Sequence, residues 1–191
     1  PEAMFGIFCQ RDSNVDNPSF KDLYATGVYA RMVKVIEMPG PGNNITAIVQ
    51  GLGRCTLDNL TKTKPYFAGI VSPNAESLPK ETDKEFTTVC ETVLKSAKEY
   101  ISLNEDMPDE AQYALASVQN KVVTINYVCS NLPFSIKDKV KLLEIDDTKK
   151  RAYSLLKTLD RETQLLKLKQ DIRQKTRMDL DEQQREYFLQ Q

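Results

Sequence analysis

Apolar positions change their period partway along the chain, and that change divides it. Up to about Pro79 they fall in short runs: Met4 to Cys9, a long stretch from Ala25 to Met38, Ile45 to Gln50, Arg54 to Leu57, and Tyr66 to Val71. Near-alternation over such lengths predicts half-buried strands, and the imperfect alternation of Val28, Ala30, Met32 or Val33, Val35 and Ile36 predicts a bulge or bend. Pro39, Gly40, Pro41, Gly42, Asn43 and Asn44 predict a loop, because two prolines without N–H donors have no place inside a ladder. Asn14 to Ser19 is turn-like. Gly51 and Gly53 predict a tight corner between two strands. Together these pieces are expected to form a small curved sheet or partial barrel.

Beyond the linker from Pro73 to Lys80 the period becomes helical. Thr82 with Glu85 predicts a capping box, and Phe86, Val89, Cys90, Val93, Leu94, Ala97, Tyr100 and Ile101 share one face of the helix that follows. Pro108 predicts the start of a second helix through about Val118. Asn120 to Cys129 predicts a third, although Val122, Val123, Thr124 and Ile125 are β-branched and leave the decision to tertiary packing. Ser135 with Asp138 predicts a fourth, through Leu142 and Leu143. These short helices are expected to pack as antiparallel neighbours. From Asp146 to Gln191 there is neither proline nor glycine, and Ala152, Leu155, Leu159 and Leu166 recur at helical spacing. One long helix is expected, capped by Asp146 or Asp147. At about 1.5 Å per residue it would reach roughly 65 Å, so it is expected to leave its globule as an arm. With no glycine C-cap and no following proline it reads as a helix cut rather than finished, in a chain that is a fragment of something larger. The expected fold class is α+β: a β-rich subdomain over 1–79, a helical bundle over 80–145, and an extended helix over 146–191.

Composition narrows the chemistry. The chain has 191 residues, 40% of them hydrophobic, enough for one substantial core or two small ones. No run is long enough to cross a bilayer, so no membrane partner is expected. Its 26 basic and 27 acidic residues leave a net charge of −1, which gives no general pull towards nucleic acid. The four cysteines are far apart and there is no histidine, so metal-ligand spacing is absent. Buried free thiols of a reducing compartment are expected, and with them a cytoplasmic location. Neither a G-x-x-x-x-G-K-[ST] phosphate loop nor a G-x-S-x-G elbow occurs, and no catalytic, cofactor-binding or metal-ligating residue is assigned. What remains is surface. Met38, Pro39 and Pro41 with Tyr66 and Phe67 are either ordinary core and turn residues or an apolar contact patch for unfolded chains. Leu165, Leu168, Ile172, Leu180 and Tyr187 form a seam suited to pairing with another helix, as from a second copy, and the alternating charges around it read as a solvated face.

Four stretches carry a resemblance to a known family. They are Asp22-Leu23-Tyr24-Ala25-Thr26-Gly27-Val28-Tyr29-Ala30, Val49-Gln50-Gly51-Leu52-Gly53-Arg54, Asn131-Leu132 with Lys139-Val140-Lys141-Leu142-Leu143-Glu144, and Gln184-Arg185-Glu186-Tyr187-Phe188-Leu189. The chain resembles the amino-terminal region of bacterial Lon proteases, ATP-dependent serine proteases. The resemblance implies a PUA-like β subdomain, a helical bundle, and a long helix leading to a hexameric AAA+ ring with a Ser-Lys protease domain. It also implies that this region recruits damaged or tagged proteins and helps the ring assemble. ATP, magnesium and the Ser-Lys dyad would lie outside these residues. Two departures stand out: the family's opening strands are missing before Pro1, and the loop from Pro39 to Asn44 is richer in proline and glycine than the usual turn. Two rival readings are a stand-alone PUA-like adaptor for RNA or a small ligand, which the near-neutral charge disfavours, and a purely structural coiled-coil scaffold.

Overall fold

The computed structural model describes residues 4–37, 45–108 and 110–189 and divides into two compact units. The first comprises 1–77 with 135–147, and the second 78–134 with 148–191.

In the first unit, β1 (Met4–Ile7), β2 (Thr26–Glu37), β3 (Ile45–Lys62) and β4 (Ala68–Pro73) form an antiparallel meander in the order β1-β2-β3-β4. The predicted bulge is present, and twice: the β2–β3 register shifts between Tyr29 and Ala30 and again between Met32 and Lys34. The predicted corner is absent, because β3 runs unbroken through Gly51 and Gly53. Gly53 serves close packing instead. A Cβ there would come within 2.6 Å of the Tyr29 hydroxyl, so the glycine lets the Tyr29 ring lie across the strand. Only residues 28–31 of β2 are flanked by β1, and only residues 55–62 of β3 by β4. Residues 32–37 and 45–50 therefore continue past the sheet as a two-stranded ribbon, on which Val33, Val35, Ile45 and Ile48 are exposed.

Two motif residues from the sequence have clear structural work here. The Asp22 carboxylate accepts 2.7 Å hydrogen bonds from both the backbone N–H and the hydroxyl of Ser19, which close the 3-10 turn ahead of β2 and hold the acid below its ordinary pKa. Arg54 is largely buried, and its guanidinium donates to the Leu143 carbonyl (3.0 Å) and to Asp146 (2.7 Å). That clasp explains one correction. The segment containing α4 (Ile136–Leu143) packs with the sheet rather than with the bundle expected over 80–145, and the Ser77 N–H bonds the Asp146 carbonyl beside it.

The second unit contains α1 (Lys84–Leu103), α2 (Glu110–Ala116), α3 (Lys121–Asn131) and α5 (Thr148–Leu189). Asp83, not Thr82, caps α1, its carboxylate accepting the Phe86 N–H at 3.0 Å. Asn120 caps α3 by the same device, and packing settles its β-branched run as helix by burying Thr124, Ile125 and Val128. In the first unit, Ser135 caps α4 as the spacing predicts. The long helix expected from Asp146 is α5, which begins at Thr148 and is anchored over its first turns, where Ala152, Leu155 and Leu159 are completely buried in this unit. Each buried leucine contributes roughly 1.5–3 kcal/mol. The α1–α5 pair is parallel. Lys149 reaches Asp83 and Glu85, Lys167 reaches Glu99, and Arg173 reaches Glu105, so contacts advance along both helices in the same direction. From Asp171 to Arg185 every residue is exposed.

Candidate functional site

β1 and β4 are the outermost strands, yet residues of both line one cleft of about 900 Å³ on the curled face of the first unit. Met4, Phe5 and Phe8 form one wall, Ala68, Gly69, Val71 and Pro73 the other, and Tyr29, Leu57 and Leu60 the span between. Two contacts set its shape. Gly27 is buried so tightly that a Cβ would meet the Ile7 carbonyl oxygen and the Phe8 ring, which brings β1 close against β2. On the far side the Lys62 ammonium lies 4.5 Å from the centre of the Tyr66 ring, a cation–π contact that steadies the residues entering β4.

Among the described residues no lining side chain carries a formal charge, and the polar ones are Gln10, Tyr29 and Tyr66. The Gln10 amide is already engaged, donating to the Asp12 and Val15 carbonyls. Among the described residues the cleft thus offers apolar surface with very few directional groups. Among the described residues, no group of three or more His, Cys, Asp or Glu is placed to hold a metal ion. None of the four cysteines forms a disulfide: Cys55 and Cys90 are buried, Cys129 is half-buried, and Cys9 is exposed, contrary to the expectation that all would be buried. Burial raises the Cys55 thiol and pushes Cys90 up to about 11, so both stay protonated.

Of the residues singled out in the sequence, Tyr66 and Phe67 line the cleft. Met38, Pro39 and Pro41 lie outside the described residues. Met4, Phe5, Phe8, Tyr29 and Leu60 were not singled out. Their signal was present only as membership of strands, and nothing in one strand says which face will curl inward. On α5, Leu165, Leu168, Ile172, Leu180 and Tyr187 are all exposed, each at least 43%. Thr176 falls on the same face, while Met178, equally exposed, falls on another. No helix among the described residues is long and apolar enough to cross a membrane.

Comparison with known proteins follows the same lines. The family model of the ATP-dependent protease La (LON) substrate-binding domain matches residues 2–161. The Lon protease of Parabacteroides distasonis is 37% identical over 190 residues, covering 100% of this chain and 23% of its own length. That of Porphyromonas gingivalis is 40% identical over 189 residues, covering 98% and 22%. The chain therefore spans about a quarter of the length of these relatives. The N-terminal domain of the Mycobacterium avium complex Lon protease aligns with a TM-score of 0.49 at 15% identity, over 86% of this chain and 91% of that one. On the family match over residues 2–161, the chain belongs to the Lon protease substrate-binding domain family.

Proposed function

We propose that the chain captures exposed apolar segments of damaged or misfolded polypeptides for an ATP-dependent Lon-type serine protease. The observation that carries this reading is the uncharged cleft between β1 and β4, with Tyr66 and Phe67 at its rim. An unfolded segment of varied sequence offers apolar side chains and little else in common. A wide apolar surface with few fixed hydrogen-bonding groups accepts such segments without selecting among them. Single contacts of this kind are weak, and several copies in one assembly would raise the effective affinity. ATP, magnesium and the peptide-cleaving residues would belong to polypeptide beyond this chain, which carries no phosphate loop. The buried protonated thiols support a reducing, cytoplasmic setting.

A second role is supported by a separate observation, the exposed face of α5 formed by Leu165, Leu168, Ile172, Leu180 and Tyr187. This face suits self-association through paired helices, as in assembly of a larger oligomer. The capture role is tested by degradation of an unfolded apolar protein by the complete protease carrying Tyr66→Ser and Phe67→Ser. A rise in KM with kcat unchanged is expected, the signature of lost ground-state binding. Unchanged KM across apolar substrates would remove the cleft from substrate recruitment. The association role is tested by sedimentation of the 191-residue chain with Ile172→Lys and Leu180→Lys, which should be monomeric at concentrations where the parent self-associates.

A further inference from the structure

α5 is held to α1 in two different ways along its length. As far as Thr163 the attachment is by burial: Ala152, Leu155, Thr158, Leu159 and Thr163 are sealed in the unit, and at the near end Lys149 sits 2.9 Å from both Asp83 and Glu85. From Gln164 to Arg185 no side chain of α5 is fully buried. The next three turns are tied to the end of α1 by polar contacts: Lys167 to Glu99 at 2.7 Å, the Gln170 amide to the Leu103 carbonyl at 2.9 Å, and Arg173 to Glu105 at 3.3 Å. Both ion pairs are open to solvent, with side-chain exposures of 53% and 48% for the first and 72% and 74% for the second. Immediately beyond them the helix is exposed on every side.

We propose that Lys167, Gln170 and Arg173 form an electrostatic latch that sets the direction in which the outer part of α5 leaves the unit. The latch sits at the junction between the anchored and the free stretch, the one place where a small change of angle is amplified by length. A tilt of roughly 10° near Gln164 carries Tyr187, about 35 Å further along, some 6 Å sideways. Its strength depends on solvent-exposed charges, so it responds to what buried packing does not. Screening by salt loosens it, and so does any cationic partner that takes Glu99 or Glu105, or an anionic one that takes Lys167 or Arg173. α5 remains a helix when the latch opens, because long helices bend smoothly when contacts on one side are lost. The latch stands whether or not the cleft binds substrate.

Pulsed electron paramagnetic resonance tests it. Spin labels at exposed Glu91 on α1 and Gln183 on α5 report the angle, with Cys9 and Cys129 replaced by serine and unlabelled chain in excess to suppress distances between copies. At about 10 mM salt, where the screening length is roughly 30 Å, one narrow distance distribution is expected. At about 1 M salt, where it falls to roughly 3 Å, the distribution should broaden and its mean move by about 5 Å. Glu99→Lys with Glu105→Lys should produce the open distribution even at low salt. Adding Lys167→Glu and Arg173→Glu should restore the narrow one, a rescue that a merely structural role for these surface residues would not give. Identical distributions in all four states would overturn the proposal, showing that buried packing and helix stiffness alone fix the arm. A broad distribution in the parent chain at low salt would overturn it equally, showing a latch that never closes.

Discussion

Replacing Gly27 by alanine puts the close approach of β1 and β2 to its most direct test. Gly27 is buried, and the added methyl carbon would meet the Ile7 carbonyl oxygen and the Phe8 ring. A ring can turn away, but the carbonyl cannot: Ile7 is paired with Val28 in the last rung of the β1–β2 ladder. Relief must come from moving β1, which pairs with β2 through four residues, Met4, Phe5, Gly6 and Ile7. Overpacking a core position costs about 1–3 kcal/mol, and with backbone as the obstacle the upper end, about 3 kcal/mol, is expected. The assay is built into the protein. Gly27 is paired across the ladder with Cys55, which is 0% exposed, while Cys90 is buried in the other unit. Thiol-labelling rates of the two cysteines report opening of each unit separately. A destabilisation of about 3 kcal/mol corresponds to labelling of Cys55 faster by roughly 100-fold, with Cys90 as the reference. Gly51→Ala is the control, since its Cβ would lie 3.4 Å from Val28 Cγ1 and should change stability by no more than about 0.5 kcal/mol. Unaltered protection of Cys55 in Gly27→Ala would refute the reasoning, and so would an equal loss in both variants.

Other outcomes follow from single contacts. Arg54→Met removes the guanidinium that holds the Leu143 carbonyl and Asp146, and should cost about 1–3 kcal/mol. Amide exchange should rise first across residues 140–147, and Arg54→Lys should restore part of the protection, because both hydrogen bonds come from the one nitrogen Nη1 and an ammonium has donors enough for two. Leu155→Ala, at a position 0% exposed, should cost about 2–5 kcal/mol, measured as faster labelling of Cys90. The Lys149 cluster gives a pH dependence. Hydrogen bonds from the Phe86 N–H and Lys149 hold Asp83 below 3.8, and those from Lys149 and Tyr153 hold Glu85 below 4.5. Their contribution is present above the unfolded carboxylate range and is lost as pH falls through the lowered folded values. Lys149 is raised above 10.5 by Glu85 and Asp83, so its contribution is present below that pH and is lost as pH rises through the higher folded value. Thermal unfolding should therefore show a plateau between about pH 5 and 10, and Glu85→Gln should flatten its acidic side.

Much of the fold was legible because local patterns decide it. The helix over 84–103 is announced by a stripe of Phe86, Val89, Cys90, Val93 and Ala97, all of them buried, and the strands by near-alternation. Turn and cap chemistry was legible where a short polar residue faces one obvious use, as at Ser135, and shifted by one residue where two candidates stand together, as at Thr82 and Asp83. Gly51 and Gly53 misled for a physical reason. Glycine marks either a turn or a close approach, and only the Tyr29 ring, which is distant in sequence, distinguishes them. The cleft was half-legible. Tyr66 and Phe67 drew notice beside a proline, whereas Phe5 and Phe8 become its wall only once β1 and β4 have curled towards each other.

The pairing of α1 with α5 shows where a single sequence stops informing. Each helix displays an apolar face, which says that something covers it but not what. Charge order carries the missing information. Acids at Asp83, Glu85, Glu99 and Glu105 meet bases at Lys149, Lys167 and Arg173 in the same order along both helices. Antiparallel partners would meet them in reverse, so matching order is the mark of parallel packing. It becomes legible only after the two helices are known to touch, because surface charges are common and many accidental orders exist. A parallel pair also needs a connection that returns the chain to its starting end. Here residues 104–147 supply it, and part of that return, 135–147, is lodged against the sheet of the first unit. The same segment that reverses the chain is thus the one Arg54 clasps. The arginine at the end of the Val49 to Arg54 motif therefore fastens the chain one residue short of α5, whose buried start, Thr148, follows Asp146 and Asp147.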